Sequence, residues 1–142
     1  MRLYRYTVKR EFVCETGVGR NLSSPETVFA TFGPLVAQLD REQFLAVFLN
    51  GKNNMVGFEA VSTGSLGASI VHPREAFKAA IINNAAAVVF VHNHPSGDPT
   101  PSTEDRRITE RLRRAGETLG ISVLDHVVIG DSGFFSFADN GW

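Results

Sequence analysis

The apolar positions of this chain fall into short blocks, some with the alternation of a strand and others with the spacing of a helix. Residues 3–13 alternate between apolar and polar side chains, which predicts an edge strand with one face in water. Ser24 and Pro25 then supply a cap and a first helical residue, so a helix should follow and extend to about residue 39. Gly33-Pro34 predicts a kink or break in it, after which the chain could form a separate turn of helix.

The middle of the chain predicts a hairpin followed by a helix and a further strand. Residues 42–49 are almost wholly apolar and should form a central strand, and residues 56–62 should pair with it across a turn rich in Asn and Gly. Pro73 opens a helix that should end at a pair of asparagines. Residues 85–91 are an unbroken apolar run, as expected of a strand covered on both faces.

The last third of the chain predicts one long helix and two closing strands. The helix runs from Ser102 to about Leu119, and Gly120 is its stop signal. Its apolar stripe comprises Ile108, Leu112, Ala115 and Leu119. Strands over residues 121–129 and 134–138 flank a Gly-rich turn. Strands that alternate with helices indicate an α/β fold, and 142 residues suffice for one domain with its own core.

Two histidines and an aspartate stand where the apolar strand gives way to the last helix. His92 and His94 are two residues apart on an extended chain, so their side chains point the same way. A loop restricted by three prolines then leads to the helix, whose first turn carries Asp105. The sequence therefore predicts that these three side chains bind one Zn²⁺ ion.

This ligand set predicts a catalytic site. Zinc held by three protein ligands has a fourth tetrahedral position for water, unlike a closed structural site. The ion lowers the pKa of bound water to about 7 and polarises a carbonyl placed against it, so hydrolysis is the expected chemistry. A thiolate zinc cluster and an internal disulfide are both excluded, because Cys14 is the single cysteine. Asp105 also has a purely structural interpretation, since Ser102 and Asp105 have the spacing of a helix capping box.

The fuller pattern is a Glu far upstream, His-x-His, a Ser and an Asp, and it resembles the JAMM motif of the JAB/MPN metalloproteases. The string 92–97, with Ser102 and Asp105 after it, is similar to the RadC branch in particular. The likeness extends through residues 71–75 and 124–130. It implies a mixed sheet flanked by helices, in the JAB/MPN arrangement that is similar to the cytidine-deaminase fold. It also implies a zinc-dependent amide hydrolase of the peptidase or isopeptidase type, acting on a peptide or protein that is not identified.

The resemblance also implies a role for each site residue. His92, His94 and Asp105 correspond to the zinc ligands, and Ser102 to the hydroxyl that holds the substrate carbonyl or the oxyanion formed from it. Glu42 corresponds best to the general base, which takes a proton from the attacking water and returns it to the leaving amine.

Glu11, Glu15 and Glu59 also precede the histidines and are alternative candidates for the base. The family pattern places the base between the first helix and the first long central strand, which favours Glu42. The two remaining histidines are interpreted as structural residues. His72 precedes a helix-opening proline, and His126 lies in an apolar strand beside Asp125, with which it could support a ligand.

Charge and hydropathy narrow the possible partners. The formal net charge of −1 lacks the strong positive field of a nonspecific nucleic-acid binder. Five arginines between positions 106 and 114 are mixed with glutamates, so a solvated helix face is the expected role. No apolar run approaches the ~20 residues of a membrane span, and we expect a cytoplasmic protein. The sequence leaves the oligomeric state open.

Two other functions were compared with hydrolysis. The RadC likeness also permits a zinc-containing DNA-associated or binding module without peptidase activity. Longer RadC-like proteins carry an amino-terminal helix-hairpin-helix module, for which residues 1–142 have no room, so any DNA contact would need the arginines of the last helix. Nucleobase deaminases use H-x-E with a later Pro-Cys-x-x-Cys, and the sequence has neither the cysteine pair nor a Glu two residues after His92 or His94.

Overall fold

The computed structural model describes residues 1–5, 7, 21–64 and 71–142. Within these ranges a five-stranded mixed sheet is flanked by three helices, which confirms the predicted α/β fold. The strands are β1 (Gln43–Leu49), β2 (Met55–Thr63), β3 (Ala87–Asn93), β4 (Ser122–Ile129) and β5 (Phe134–Ser136). The helices are α1 (Pro25–Val36), α2 (Pro73–Ile82) and α3 (Thr103–Leu119).

Strand β3 occupies the centre of the sheet, whose strand order is β2-β1-β3-β4-β5. It pairs antiparallel with β1 and parallel with β4, while β2 and β5 pair antiparallel at the two edges. All seven residues of β3 are buried, as its apolar run predicts. The strand that carries His92 is therefore held from both sides by neighbouring strands.

The two faces of the sheet carry separate hydrophobic clusters, because successive side chains of a strand point to opposite faces. In β1, Phe44 and Phe48 pack with α2 and α3, whereas Leu45 and Val47 pack with α1. Burial of each such side chain stabilises the fold by about 1.5–3 kcal/mol. The ring of His92 stacks against Phe44 at a centroid distance of 5.9 Å, which places it on the α2–α3 face.

Helix α1 departs from the sequence prediction. It continues through Gly33 and Pro34 without a break and ends at Val36, so the predicted interruption and the separate turn were wrong. The physical reason is the position of the proline: Pro34 lies in the last turn, where its missing N–H removes one intrahelical bond close to the natural end of the helix. The Ala37 N–H still reaches Gly33 O at 2.9 Å and closes the helix.

Helices α2 and α3 begin and end close to the predicted residues, and Gly120 adopts the left-handed conformation that ends α3. One member of the predicted apolar stripe was wrong, since Leu119 is 47% exposed. Gly116 is buried in its place. The Ile121 N–H bonds to Gly116 O at 3.0 Å, a close approach that a side chain at position 116 would obstruct.

Several predictions concern segments outside the described residues. They are most of the strand over residues 3–13, the packing of Cys14, and the candidate bases Glu11 and Glu15. Residues 3–5 and 7 are exposed and belong to no strand. No helix in the described ranges combines the length and the apolar character needed to cross a membrane.

Candidate metal centre

The three predicted ligands meet where β3 ends and α3 begins. His92 Nε2 and His94 Nε2 lie 2.9 Å apart. Asp105 places Oδ1 3.3 Å from His92 Nε2 and Oδ2 3.3 Å from His94 Nε2. One ligand atom from each residue lies within 4.8 Å of the others, a cluster that a single ion with bonds of about 2.0–2.2 Å can bridge. This group could therefore bind a metal ion, as predicted.

Strand β3 runs two residues beyond the predicted apolar block and includes His92 and Asn93. The His92 ring is consequently inside the sheet and fully buried, whereas His94 follows the strand with a side chain that is 11% exposed. The Asn93 side chain joins β3 to the start of β1, since its Oδ1 accepts from Gln43 N–H at 2.8 Å and its Nδ2 donates to Arg41 O at 3.1 Å. These bonds fix the end of the strand that carries both imidazoles.

The loop after β3 orients His94. Its Nδ1 lies 2.8 Å from Asp98 O, and because a carbonyl only accepts, Nδ1 carries a hydrogen and Nε2 is the nitrogen left to bind a metal. The loop is held against the β4–β5 turn by a bond from Asp131 N–H to Gly97 O at 3.0 Å. Gly130 permits this contact, since a Cβ there would collide with Gly97 O.

Asp105 belongs to a capping box and to the cluster at the same time. Its N–H donates to Ser102 Oγ at 3.1 Å, and its Oδ2 accepts from Ser102 N–H at 2.6 Å. Burial alone would raise the pKa of Asp105, but hydrogen bonds with His92 and His94, the charge of His92 and the Ser102 N–H together hold it far below its usual range. The carboxylate is thus kept in the ionised form that a metal requires.

A third imidazole lies directly behind the ligands. His126 on β4 is fully buried, with Nε2 2.7 Å from His92 Nδ1 and Nδ1 2.6 Å from Thr109 Oγ1. Burial, with the positive charge of His92 adding to it, lowers the pKa of His126 well below its ordinary value, so this ring stays neutral. The sequence interpretation paired it with Asp125, whose Oδ1 instead accepts from the His126 backbone N–H at 2.7 Å.

The comparison with known families agrees with this geometry. The family model of the RadC-like JAB domain matches residues 22–142. The chain belongs to the RadC-like JAB domain family. Its relatives include the UPF0758 protein of Symbiobacterium thermophilum, 54% identical over 121 residues that cover 85% of this chain and 52% of the relative. The UPF0758 protein of Caldanaerobacter subterraneus is 48% identical over 134 residues, which cover 94% of this chain and 58% of the relative. The chain spans about half the length of the curated relatives it matches.

Within this RadC-like JAB domain, Glu42 lies beside the cluster. It immediately precedes β1, two residues before Phe44, which pairs with His92 in the antiparallel register of β1 and β3. Its charge is among the influences that raise the pKa of His94, after the larger effect of the hydrogen bond to Asp105. The alternative base, Glu59, lies on β2, where it pairs with Ala46 of β1. Its charge contributes to the raised pKa of Lys78 on α2. Of these two glutamates, Glu42 is the one whose charge acts on a predicted ligand.

Ser102 is exposed and caps the start of α3. Its Oγ accepts from Asp105 N–H, which leaves the hydroxyl hydrogen for another acceptor. His72, interpreted as structural, caps α2 by accepting from Arg74 N–H at 3.2 Å. The outer arginines of α3 pair in part with Glu110, at 2.9 Å for Arg114.

The contribution of Thr109 was not predicted from the sequence. Thr109 lies four residues after Asp105, so both face the same side of α3. That spacing is the one signal the sequence offered. The contact also depends on how β4 packs under α3, which local patterns do not specify.

Proposed function

We propose that this domain is a zinc-dependent amide hydrolase of the peptidase or isopeptidase type. The observation that carries the proposal is the convergence of His92 Nε2, His94 Nε2 and the ionised carboxylate of Asp105. Two imidazole nitrogens and one carboxylate are a ligand set that suits zinc better than calcium or magnesium, which prefer all-oxygen sites. Three protein ligands also leave a tetrahedral position free for chemistry.

Zinc in this position would supply a Lewis acid and an activated water. Glu42, whose charge acts on His94, would accept a proton during attack on the amide carbon and return it to the departing nitrogen. The free hydroxyl hydrogen of Ser102 can donate to the substrate carbonyl oxygen, where negative charge develops. The substrate is accordingly a peptide or protein with an accessible amide bond. The described contacts of the α3 arginines do not favour the alternative of a DNA-associated module.

The role of Glu42 gives the sharpest test, because Glu59 offers a matched control. Zinc-loaded protein is incubated with a library of peptides and isopeptides, and cleavage is followed by mass spectrometry. We expect Glu42→Gln to lower kcat by about 10²–10⁴-fold and to leave zinc stoichiometry unchanged, since a general base contributes this much. Glu59→Gln should retain full activity. Equal activity of the two variants would reject the assigned base, and a zinc-loaded wild type that cleaves nothing would reject the hydrolase.

A further inference from the structure

Three hydrogen bonds connect one predicted ligand to the backbone of another. His92 Nδ1 lies 2.7 Å from His126 Nε2, and His126 Nδ1 lies 2.6 Å from Thr109 Oγ1. Thr109 Oγ1 in turn donates to Asp105 O at 2.6 Å. The chain of contacts therefore begins at His92 and ends at Asp105, whose carboxylate faces the other side of the His92 ring.

The position of every proton in this chain follows from its last member. The Asp105 carbonyl can only accept, so Thr109 donates its single hydroxyl hydrogen to it. Thr109 Oγ1 must then accept from the Nδ1–H of His126. A neutral imidazole has one N–H, so His126 Nε2 is bare and accepts from the Nδ1–H of His92. The remaining nitrogen, His92 Nε2, faces the cluster at 3.3 Å from Asp105 Oδ1 and is the nitrogen left to bind a metal.

The reverse arrangement is disfavoured because the chain is shielded from water. His92, His126 and Thr109 are each at most 3% exposed. If the proton of His126 moved to Nε2, its bare Nδ1 would face a Thr109 oxygen that has no hydrogen to offer. His92 would then carry its proton on Nε2, on the nitrogen that a metal needs. The two His126 neighbours Phe44 and Phe137, at centroid distances of 5.2 and 5.0 Å, restrict rotation of its ring.

We propose that Thr109 and His126 are positioning residues that hold His92 in the Nδ1–H tautomer and so prepare its Nε2 to bind the metal. This inference rests on the metal-binding part of the proposed function and is independent of hydrolysis. It gives a role to a buried hydroxyl and a buried imidazole that contact predicted ligands without being ligands themselves.

The tautomers can be read directly in metal-free wild-type protein at neutral pH. Selective ¹⁵N labelling of histidine and long-range ¹H–¹⁵N spectra distinguish protonated from bare ring nitrogens. We expect Nδ1 to be protonated in both His92 and His126, and Nε2 of His126 to be bare. A proton on Nε2 of His126 would overturn the inference, whatever the protein does with zinc.

Zinc affinity provides the second test, by competition with a chromophoric chelator. Thr109→Val keeps the shape of the side chain and removes the hydroxyl, and we expect the Kd for zinc to rise about 10–100-fold, the usual effect of losing a group that orients a ligand. Thr109→Ser restores the hydroxyl and should restore the Kd. Thr118→Val is the matched control, because Thr118 makes the same type of bond to Arg114 O on an exposed part of α3.

A wild-type Kd in Thr109→Val would overturn the inference, as would a Thr109→Ser variant that loses as much affinity as Thr109→Val. If wild-type protein fails to bind zinc, the proposed function is overturned, and the ring-nitrogen spectra still decide the proton positions. If Thr109→Val does not fold, the same spectra and the serine variant decide the matter.

Discussion

Helices α1 and α3 begin with the same arrangement of hydrogen bonds, a capping box. In α1, Ser24 Oγ accepts from Thr27 N–H at 3.3 Å, and Thr27 Oγ1 accepts from Ser24 N–H at 3.4 Å. In α3, Ser102 and Asp105 make the corresponding bonds at 3.1 and 2.6 Å. Both boxes satisfy backbone N–H groups that the first turn of a helix leaves without partners.

The two boxes differ in what the third helical residue faces. Thr27 is exposed, whereas Asp105 is 2% exposed and lies against His92 and His94. The carboxylate uses Oδ2 for the cap and still presents both oxygens to the imidazoles. A helix start therefore becomes a metal ligand when its capping residue is an acid and when the chain places that turn beside the end of β3.

Copying the α1 box into α3 should produce the largest effect. We expect Asp105→Thr to keep the helix start but to raise the Kd for zinc at least about 100-fold, because a neutral hydroxyl replaces an ionised ligand. Metal analysis of the purified variant, with circular dichroism to verify folding, measures this. The converse change Thr27→Asp should bind no second zinc. Stoichiometric zinc in folded Asp105→Thr would show that Asp105 is only a cap.

An intermediate effect is expected when the cap of α3 is removed. Ser102→Ala should lower kcat about 10²–10³-fold, as loss of one oxyanion donor does, and should destabilise the fold by about 1 kcal/mol through the lost cap. The Kd for zinc should stay close to that of wild type. Kinetics on a library peptide and urea unfolding separate the two contributions. An unchanged kcat would show that Ser102 caps the helix and has no role in catalysis.

The smallest effect is expected at the cap of α1. Ser24→Ala should destabilise the fold by about 1 kcal/mol, which urea unfolding measures, with neither kcat nor zinc affinity altered. The ratio of kcat between Ser102→Ala and Ser24→Ala then measures the catalytic contribution of the Ser102 hydroxyl apart from its role as a helix cap. A loss of activity in Ser24→Ala comparable to that in Ser102→Ala would mean that helix capping alone explains both.

The parts of the fold that the sequence predicted correctly depend on local patterns. The apolar runs of β1 and β3 and the cap of α3 are each predicted from neighbouring residues, and the structure has them. The meeting of His92, His94 and Asp105 was predictable because a short, proline-restricted loop connects strand to helix. The break at Pro34 was wrong since a local rule took no account of how near the helix end lay.

The support behind the ligands could not be predicted in the same way. Thr109 and His126 meet because β4 lies parallel to β3 and under α3, an arrangement set by packing of the whole domain. The sequence gives no spacing that connects residues 17 positions apart on a helix and a strand. The sequence analysis allowed His126 to support a ligand together with Asp125, whereas in the structure its ring nitrogens contact His92 and Thr109.

The metal centre is tested most directly by anomalous diffraction from crystals grown with zinc and recorded on both sides of the zinc absorption edge. We predict one strong peak about 2.0–2.2 Å from His92 Nε2, His94 Nε2 and a carboxylate oxygen of Asp105. No peak there, or a peak bound by other side chains, would contradict the assignment of these three residues as ligands.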